Sequence, residues 1–379
     1  MKRTCKTLSL GVALVALGVS LATPAPAQDL SAVLAGYGSA NYRALFADEE
    51  TPNDFSASVS PILLIQAGED LLFETELEFE LEGDATEVVL EYAQIDYLGF
   101  DRVQLTAGKF LLPFGVFGER LHPTWINKMP DAPPIYGHAH GGVAEGAILP
   151  VLADAGLMVR YAQPMGEIWK LDVSAWVSQG PRMLDPAGEG EGEDHVHSLV
   201  LANGDDEHGE NAFGAPSVAF GTSFGDNNEN KMLGARVGLV RGGGFETYVS
   251  AFHSMIDPDD ILDLTGFNLS AEFRRGAFEM RGEAVLTRQE FVHDETSYET
   301  LERGGFYVQA SRRFGDVEPV VRYGRIADAE VDGATAEEGF DRIDLGLDYW
   351  LTPSVPVKAA WQIDPDGDDR MLLQWAFGF

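Results

Sequence analysis

The sequence predicts an all-β protein, a transmembrane antiparallel β-barrel of about sixteen strands (roughly 14–18) with long outside loops. Three observations predict it. Apolar and polar residues alternate over most of the 379 residues, with little helical periodicity. Beyond the first residues, no stretch approaches the ~18–20 consecutive apolar residues of a spanning helix. The single cysteine, Cys5, lies inside an apparent export segment, so the exported chain is expected to fold without disulfides.

That segment is expected to cover residues 1–27. Lys2, Arg3 and Lys6 give it a positive start, Leu8 to Leu21 is its apolar run, and Ala25-Pro26-Ala27 is its small-residue cleavage site. Its removal deletes three basic residues and no acid, taking the net charge from −35 to −38. So much like charge disfavours a compact core unless the charges lie in water or bind cations. An outer-membrane barrel over residues 28–379 satisfies that requirement; a soluble secreted β-sandwich is the alternative. No nucleic-acid partner is expected.

Strands are expected near 33–45, 55–67, 71–82, 87–98, 102–112, 155–164, 168–178, 231–241, 245–255, 264–275, 278–290, 305–314, 317–328, 341–351, 355–364 and 370–379. Connection lengths give an independent check. With the N-terminus on the periplasmic side, every even-to-odd link is short, as at Gly68-Glu69-Asp70, Arg275-Gly276-Ala277 and Gly315-Asp316. The long links, 113–154, 179–230, 291–304 and 329–340, all fall on the other side. Residues 143–153 and 217–225 belong to loops on this reading, because counting either as a strand breaks the even parity.

The segment from Gly108 to Gly115 (Gly-Lys-Phe-Leu-Leu-Pro-Phe-Gly) organises the chain. Pro113 removes a backbone donor and stops the ladder. Roughly 30 residues rich in Gly, Pro, aromatics and His follow, and a loop that long in a compact domain is usually functional or disordered. Its Phe, Trp and Tyr content favours an ordered loop folded against the barrel, where it would narrow a pore. A second long loop, 179–230, is acidic and contains His.

Side-chain parity separates the lipid face from the lumen. Met371, Leu373, Trp375, Phe377 and Phe379 share one face of the last strand, and Arg370, Gln374 and Gly378 the other. In the third strand Glu74, Glu76, Glu78 and Glu80 alternate with Phe73, Leu77 and Phe79, which places four carboxylates on the lumen side. Acidic rings in a pore favour cations; the alternative is a generic solvated surface neutralised by facing arginines. The same parity turns Asp96, Asp172, Glu272, Glu279, Glu283, Glu318, Asp344 and Asp348 inward. It does so too for Lys170, Arg236, Arg274, Arg281, Arg322, Arg342, Lys358 and Arg370.

Six of the eight histidines fall in the two longest loops: His122, His138, His140, His195, His197 and His208. Two H-x-H pairs, His138/His140 and His195/His197, together with nearby carboxylates and His208, have donors suited to Zn²⁺ or a similar divalent cation. The alternative is a solvated acidic loop, and no other cofactor is expected. The acidic turns Asp257–Asp260 and Asp364–Asp369 suit divalent ions that bridge to lipopolysaccharide phosphates, though neither completes an EF-hand pattern. No nucleophile elbow or metalloprotease motif is present, so no enzymatic activity is expected.

Several residues carry a family resemblance. Phe379, ending an alternating strand, resembles the terminal signature by which outer-membrane barrels are recognised by the assembly machinery. Glu91-Tyr-Ala-Gln-Ile-Asp-Tyr97, followed by Gly108 to Gly115, resembles the strand pair that leads into the third loop of phosphate-selective-type porins. Asp226 to Arg236 is similar to that family's re-entry into the barrel after a long outside loop. The resemblance implies a sixteen-stranded barrel, commonly a homotrimer in outer-membrane lipid, that passes small hydrophilic solutes or ions. The family's anion-binding members line the channel with lysine and arginine, whereas this chain is acidic, so cation preference is the expectation. Of the family's basic positions only Lys109 is carried over, as a residue beside the constriction. Strict alternation from Val103, Leu105 and Ala107 puts Lys109 on the lipid face, so a bulge near Gly108 is needed to bring it to the pore.

Overall fold

The computed structural model describes residues 30–46, 53–82, 85–137, 147–183, 198–199, 218–220, 229–294, 297–365 and 368–379. The expected export segment and His138, His140, His195, His197 and His208 lie outside these residues.

The first seven strands are β1 (Leu30–Phe46), β2 (Asn53–Ala67), β3 (Leu71–Glu82), β4 (Ala85–Phe100), β5 (Val103–Leu111), β6 (Ala153–Met165) and β7 (Trp169–Ser178). Three two-residue strands of the long loop follow: β8 (Arg182–Met183), β9 (Ser198–Leu199) and β10 (Val218–Ala219). They form a small separate sheet. The wall resumes with β11 (Met232–Arg241), β12 (Phe245–Met255), β13 (Asp263–Arg275), β14 (Phe278–Asp294), β15 (Ser297–Arg312) and β16 (Val317–Ile326). A short hairpin, β17 (Ala329–Val331) and β18 (Ala334–Glu337), precedes β19 (Phe340–Thr352), β20 (Val355–Ile363) and β21 (Asp369–Gly378).

Sixteen of these strands close into an antiparallel barrel. Closure runs between β1 and β21, in register from Tyr37↔Gly378 to Phe46↔Asp369. The chain end joins the seam, because Gly36 and Phe379 exchange backbone hydrogen bonds of 3.1 and 2.9 Å. A closed barrel satisfies every wall strand without leaving edges in lipid. Outward residues such as Leu157, Leu269, Leu345 and Trp375 are exposed, and their neighbours Met158, Asn268, Asp344 and Gln374 are buried, as period two demands.

The structure corrects two connections. The expected outside loop 291–304 is instead strand: β14 and β15 stay paired through Gln289↔Leu301 and Val292↔Tyr298. The charged residues there had suggested a loop, but above the bilayer a ladder can be polar on both faces. The link 329–340 contains the β17–β18 hairpin, whose Val331 pairs with Leu301 of the raised β15.

Candidate channel and its inward loop

The chain leaves the wall after β5, and residues 112–137 and 147–152 run inside the barrel. Leu112 N–H donates to the Leu152 carbonyl at 2.8 Å, closing the neck where the segment enters and leaves. Phe110, Leu112, Phe114, Phe117, Ile135, Tyr136, Ile148 and Leu149 are buried in one cluster with inner-wall Trp176, Met232, Tyr248, Phe252, Leu264, Val285 and Tyr307. Val218 and Phe220 of the long loop join it. Each such side chain stabilises the fold by ~1.5–3 kcal/mol on full burial. One side of the lumen is therefore a packed apolar core.

A single carboxylate starts this arrangement. Glu283 of β14 accepts hydrogen bonds from Val116 N–H at 2.9 Å, Phe117 N–H at 2.7 Å, and the Tyr136 and Tyr307 hydroxyls at 2.9 Å each. The two amides open a single π-helical turn, Phe117–Leu121, whose N-terminal donors have no intrahelical partner. Burial and then the Glu283 charge push the Tyr136 phenol well above its ordinary pKa, so it stays a donor. Gly115 makes the approach possible. Its φ is +79°, and a Cβ there would lie 2.4 Å from both Glu283 Oε2 and the Tyr136 hydroxyl.

The turn also carries Glu119, paired with Arg236 and, at 2.7 Å, with Arg160. Burial alone would raise the Glu119 carboxyl, but Arg236 and Arg160 together hold it below the usual carboxylate range.

Beyond the turn the loop's carbonyls meet the basic side chains of the wall. Lys358 donates to the carbonyls of Thr124 and Asn127 and to Gln374. Arg281 donates to Asn127 Oδ1 at 3.2 Å, Arg322 to the Asp131 carbonyl at 3.0 Å, and Arg303 to the Ala147 carbonyl at 2.9 Å. Arg322 also pairs with Asp344 at 2.5 Å, and Lys128 of the loop with Glu318 at 3.0 Å. Arg281 and Arg322 do face inward, and both are buried beneath the loop.

The opposite wall differs. Strands β2, β3 and β4 carry nine acids (Asp54, Glu74, Glu76, Glu78, Glu80, Glu82, Glu87, Glu91 and Asp96) and no lysine or arginine. Glu74 and Glu80 are half-buried; Glu76 and Glu78 are buried. Tyr37 donates to Glu76 at 2.6 Å, and Gln94 bridges Glu74 and Asp96 at 3.5 and 2.8 Å. Asp96 also accepts from Gln104 at 2.9 Å and Thr106 at 2.5 Å, so its hydrogen bonds tie β4 to β5, and Gln94 carries the network on to Glu74 of β3. Glu91 was not expected here, since strict alternation from Asp96 points it outward. The β3–β4 register shifts between Glu76 and Leu77, and the extra residue turns Glu91 to the inside, where it is buried. No sequence signal marks that bulge.

The bulge near Gly108 that Lys109 would need to reach the pore is absent. Gln94↔Gly108 and Ala93↔Lys109 are in continuous register, so Lys109 keeps the parity of the outer face. Its ammonium donates to the Leu90 carbonyl at 2.7 Å. His122 is buried in the inward loop, with its ring edge-on to Tyr37 at 6.4 Å. Among the described residues no group of three His, Cys, Asp or Glu is arranged to hold a metal ion. Asp257 caps its own turn, accepting from the amides of Asp259, Ile261 and Leu262 at 2.7–3.1 Å.

No known family profile matches the chain, and no curated protein matches it by sequence. Solved structures do match its shape. OmpF of Salmonella typhi, in complex with daunomycin, is 13% identical with a TM-score of 0.56, over 93% of this chain and 98% of that one. An anion-selective porin from Comamonas acidovorans is 12% identical with a TM-score of 0.54, over 93% and 100%. The outer membrane channel DcaP of Acinetobacter baumannii is 12% identical with a TM-score of 0.54, over 92% and 97%. Identities this low speak for the fold alone: the chain is a sixteen-stranded porin-like β-barrel, an architecture of the bacterial outer membrane.

Proposed function

We propose that the barrel is a passive channel for small hydrophilic solutes and ions, and that it favours cations. The observation that carries the reading is the uneven distribution of charge in the lumen. Basic residues of β14, β16 and β20 are engaged by the inward loop's oxygens, whereas the strands β2–β4 carry nine acids and no lysine or arginine of their own, Asp54 being paired with Arg43 of β1. Fixed carboxylates along a water-filled path raise the local concentration of cations. The reading is of a non-enzymatic barrel, and the inward loop is its constriction. The narrower resemblance to phosphate-selective porins supports the layout of that loop and contributes nothing to anion selectivity here.

A bilayer recording under a salt gradient tests this. A cationic reversal potential with open-channel conductance supports the reading, and an anionic one rejects it.

A second reading, a surface receptor or metal-binding barrel with a closed lumen, draws support from the extent of the apolar core. It predicts no conductance. It also predicts a zinc response that is lost when His138, His140, His195 and His197 are replaced with alanine; an unchanged response in that variant rejects the metal site.

A further inference from the structure

We infer that the size limit of the channel is set by seats in the wall of β16–β21 that fix how far the inward loop stands from it. The principal seat is a socket for Met129. The inference rests on the reading of the barrel as an open channel, and deepens it by naming residues that decide which solutes fit.

The socket interrupts the charge pattern around it. Strand register carries one inward row across four strands, from Val320 of β16 through Gly346 of β19 and Ala360 of β20 to Leu372 of β21. On one side of it lies the row Glu318, Asp348, Lys358 and Gln374. On the other lies Arg322, Asp344, Gln362 and Arg370. A wall that met only water would gain nothing from an apolar row between two polar ones. Met129 accounts for it: the side chain is 1% exposed and packs in one cluster with Val320, Ala360 and Leu372. Gly346 is the floor, since a Cβ there would lie 2.6 Å from Met129 Sδ and 3.4 Å from Val320 Cβ.

The same device recurs before and after Met129 in the loop. Gly378 of β21 lies under Trp125, where an added Cβ would be 2.8 Å from ring atoms Cε2 and Nε1. Gly324 of β16 lies under Pro134, where it would collide with ring carbon Cγ. A glycine inside a strand marks a place where another group approaches closely, and here each of three strands receives a different loop side chain. The bonds from Lys358, Arg281 and Arg322 hold the loop to this wall; the glycines fix the distance at which it is held. Met129 is flexible and yields to small intrusions, whereas the rings of Trp125 and Pro134 are stiff. Close-packed interiors transmit added volume instead of absorbing it. Volume added to a seat therefore drives the loop off the wall and into the lumen.

The test is polymer exclusion in single channels of the full-length protein, with polyethylene glycols of graded size. Gly324→Ala and Gly346→Leu should each lower the largest polymer that enters, and cut conductance at least about twofold. Moving volume from loop to wall, with Met129→Ala beside Gly346→Leu, should restore both. Gly304→Ala, on the outer parity of β15 where a Cβ would meet its neighbours at an ordinary 3.5 Å, should change neither. Heat-modifiable mobility identifies folded protein. A lower melting temperature with the native cut-off, the sign of a merely structural role, overturns the inference, as does a double variant no better than Gly346→Leu alone. A native barrel that conducts nothing overturns the channel reading and the inference with it. A conducting barrel whose variants keep the native cut-off overturns the inference alone. Should Gly346→Leu not fold, Gly324→Ala decides.

Discussion

The wall of β14, β16 and β19–β21 and the wall of β2–β4 both face the lumen, and both are dense in charge. They differ in how the charge is used. On the first, Arg281, Arg322 and Lys358 alternate with Glu283, Asp344 and Asp348, and the inward loop supplies oxygens to the bases and amides to Glu283. Ions there act as struts. On the second, the strands carry nine acids and no lysine or arginine. Asp54 pairs with Arg43 of β1, and Glu74, Glu76 and Asp96 accept hydrogen bonds from the neutral groups of Tyr37, Gln94, Gln104 and Thr106. Neutral donors orient a carboxylate without cancelling its charge. Counting lumen acids and bases together, as parity invites, hides this division.

The largest effect expected comes from removing the struts' partner. Deleting Leu121 to Tyr136 removes the loop's acceptors from Lys358, Arg281 and Arg322, while Arg322 keeps Asp344 and Lys358 keeps Gln374. Single-channel conductance should rise severalfold, and the reversal potential should move toward anions as the bases are uncovered to the lumen. Unchanged values in a folded deletion protein would show that the loop neither narrows the path nor masks the bases.

Glu283→Ala acts on the same wall through one residue. It leaves the amides of Val116 and Phe117 and the hydroxyls of Tyr136 and Tyr307 without their acceptor. Each buried donor left unsatisfied costs ~1–3 kcal/mol. Thermal unfolding should shift down clearly and the open-channel current should become noisy. Glu283→Gln, which keeps one carbonyl acceptor, should do less.

Gly115→Ala should be milder. A left-handed backbone costs a non-glycine residue ~1–3 kcal/mol, and the added Cβ would press on Glu283 and Tyr136. The measurable result is a lower melting temperature with cation preference intact. Equal stability would mean that the start of the loop is not held as tightly as its contacts suggest.

Acid gives the smallest effect, and its sign is fixed. Glu119 has a folded pKa below the usual carboxylate range. Its contribution is therefore present above the unfolded pKa and is lost only as pH falls through the lower, folded value. Conductance should not change through release of Glu119 between pH 7 and pH 5. Opening of the loop in that window, abolished by Glu119→Gln, would contradict the assignment.

Much of this architecture was legible in the sequence, because period two is a local property. Each strand of the barrel, the glutamate ladder of β3 and the break at Pro113 could be read from neighbours in the chain. Glu283 could be placed in the lumen but not at the head of the loop, since its partners Val116 and Phe117 are 167 and 166 residues away. Arg281 and Arg322 were visible as lumen bases, yet their burial under Asn127 and Asp131 is a tertiary fact. The Glu91 bulge and the raised β14–β15 pair were missed for another reason. One inserts a residue against the period, and the other continues a ladder through residues whose polarity resembles a loop.

The central claim is that the acid-rich wall of β2–β4 sets the sign of selectivity, and reversal potentials measured at two ionic strengths test it most directly. The Debye length falls from ~30 Å at 0.01 M salt to ~3 Å at 1 M. The native channel should show a cationic reversal potential at low salt that fades at high salt. Replacing Glu74, Glu76, Glu78 and Glu80 with glutamine should diminish it without unfolding the barrel. An anionic reversal potential of the native channel at low salt would contradict the account.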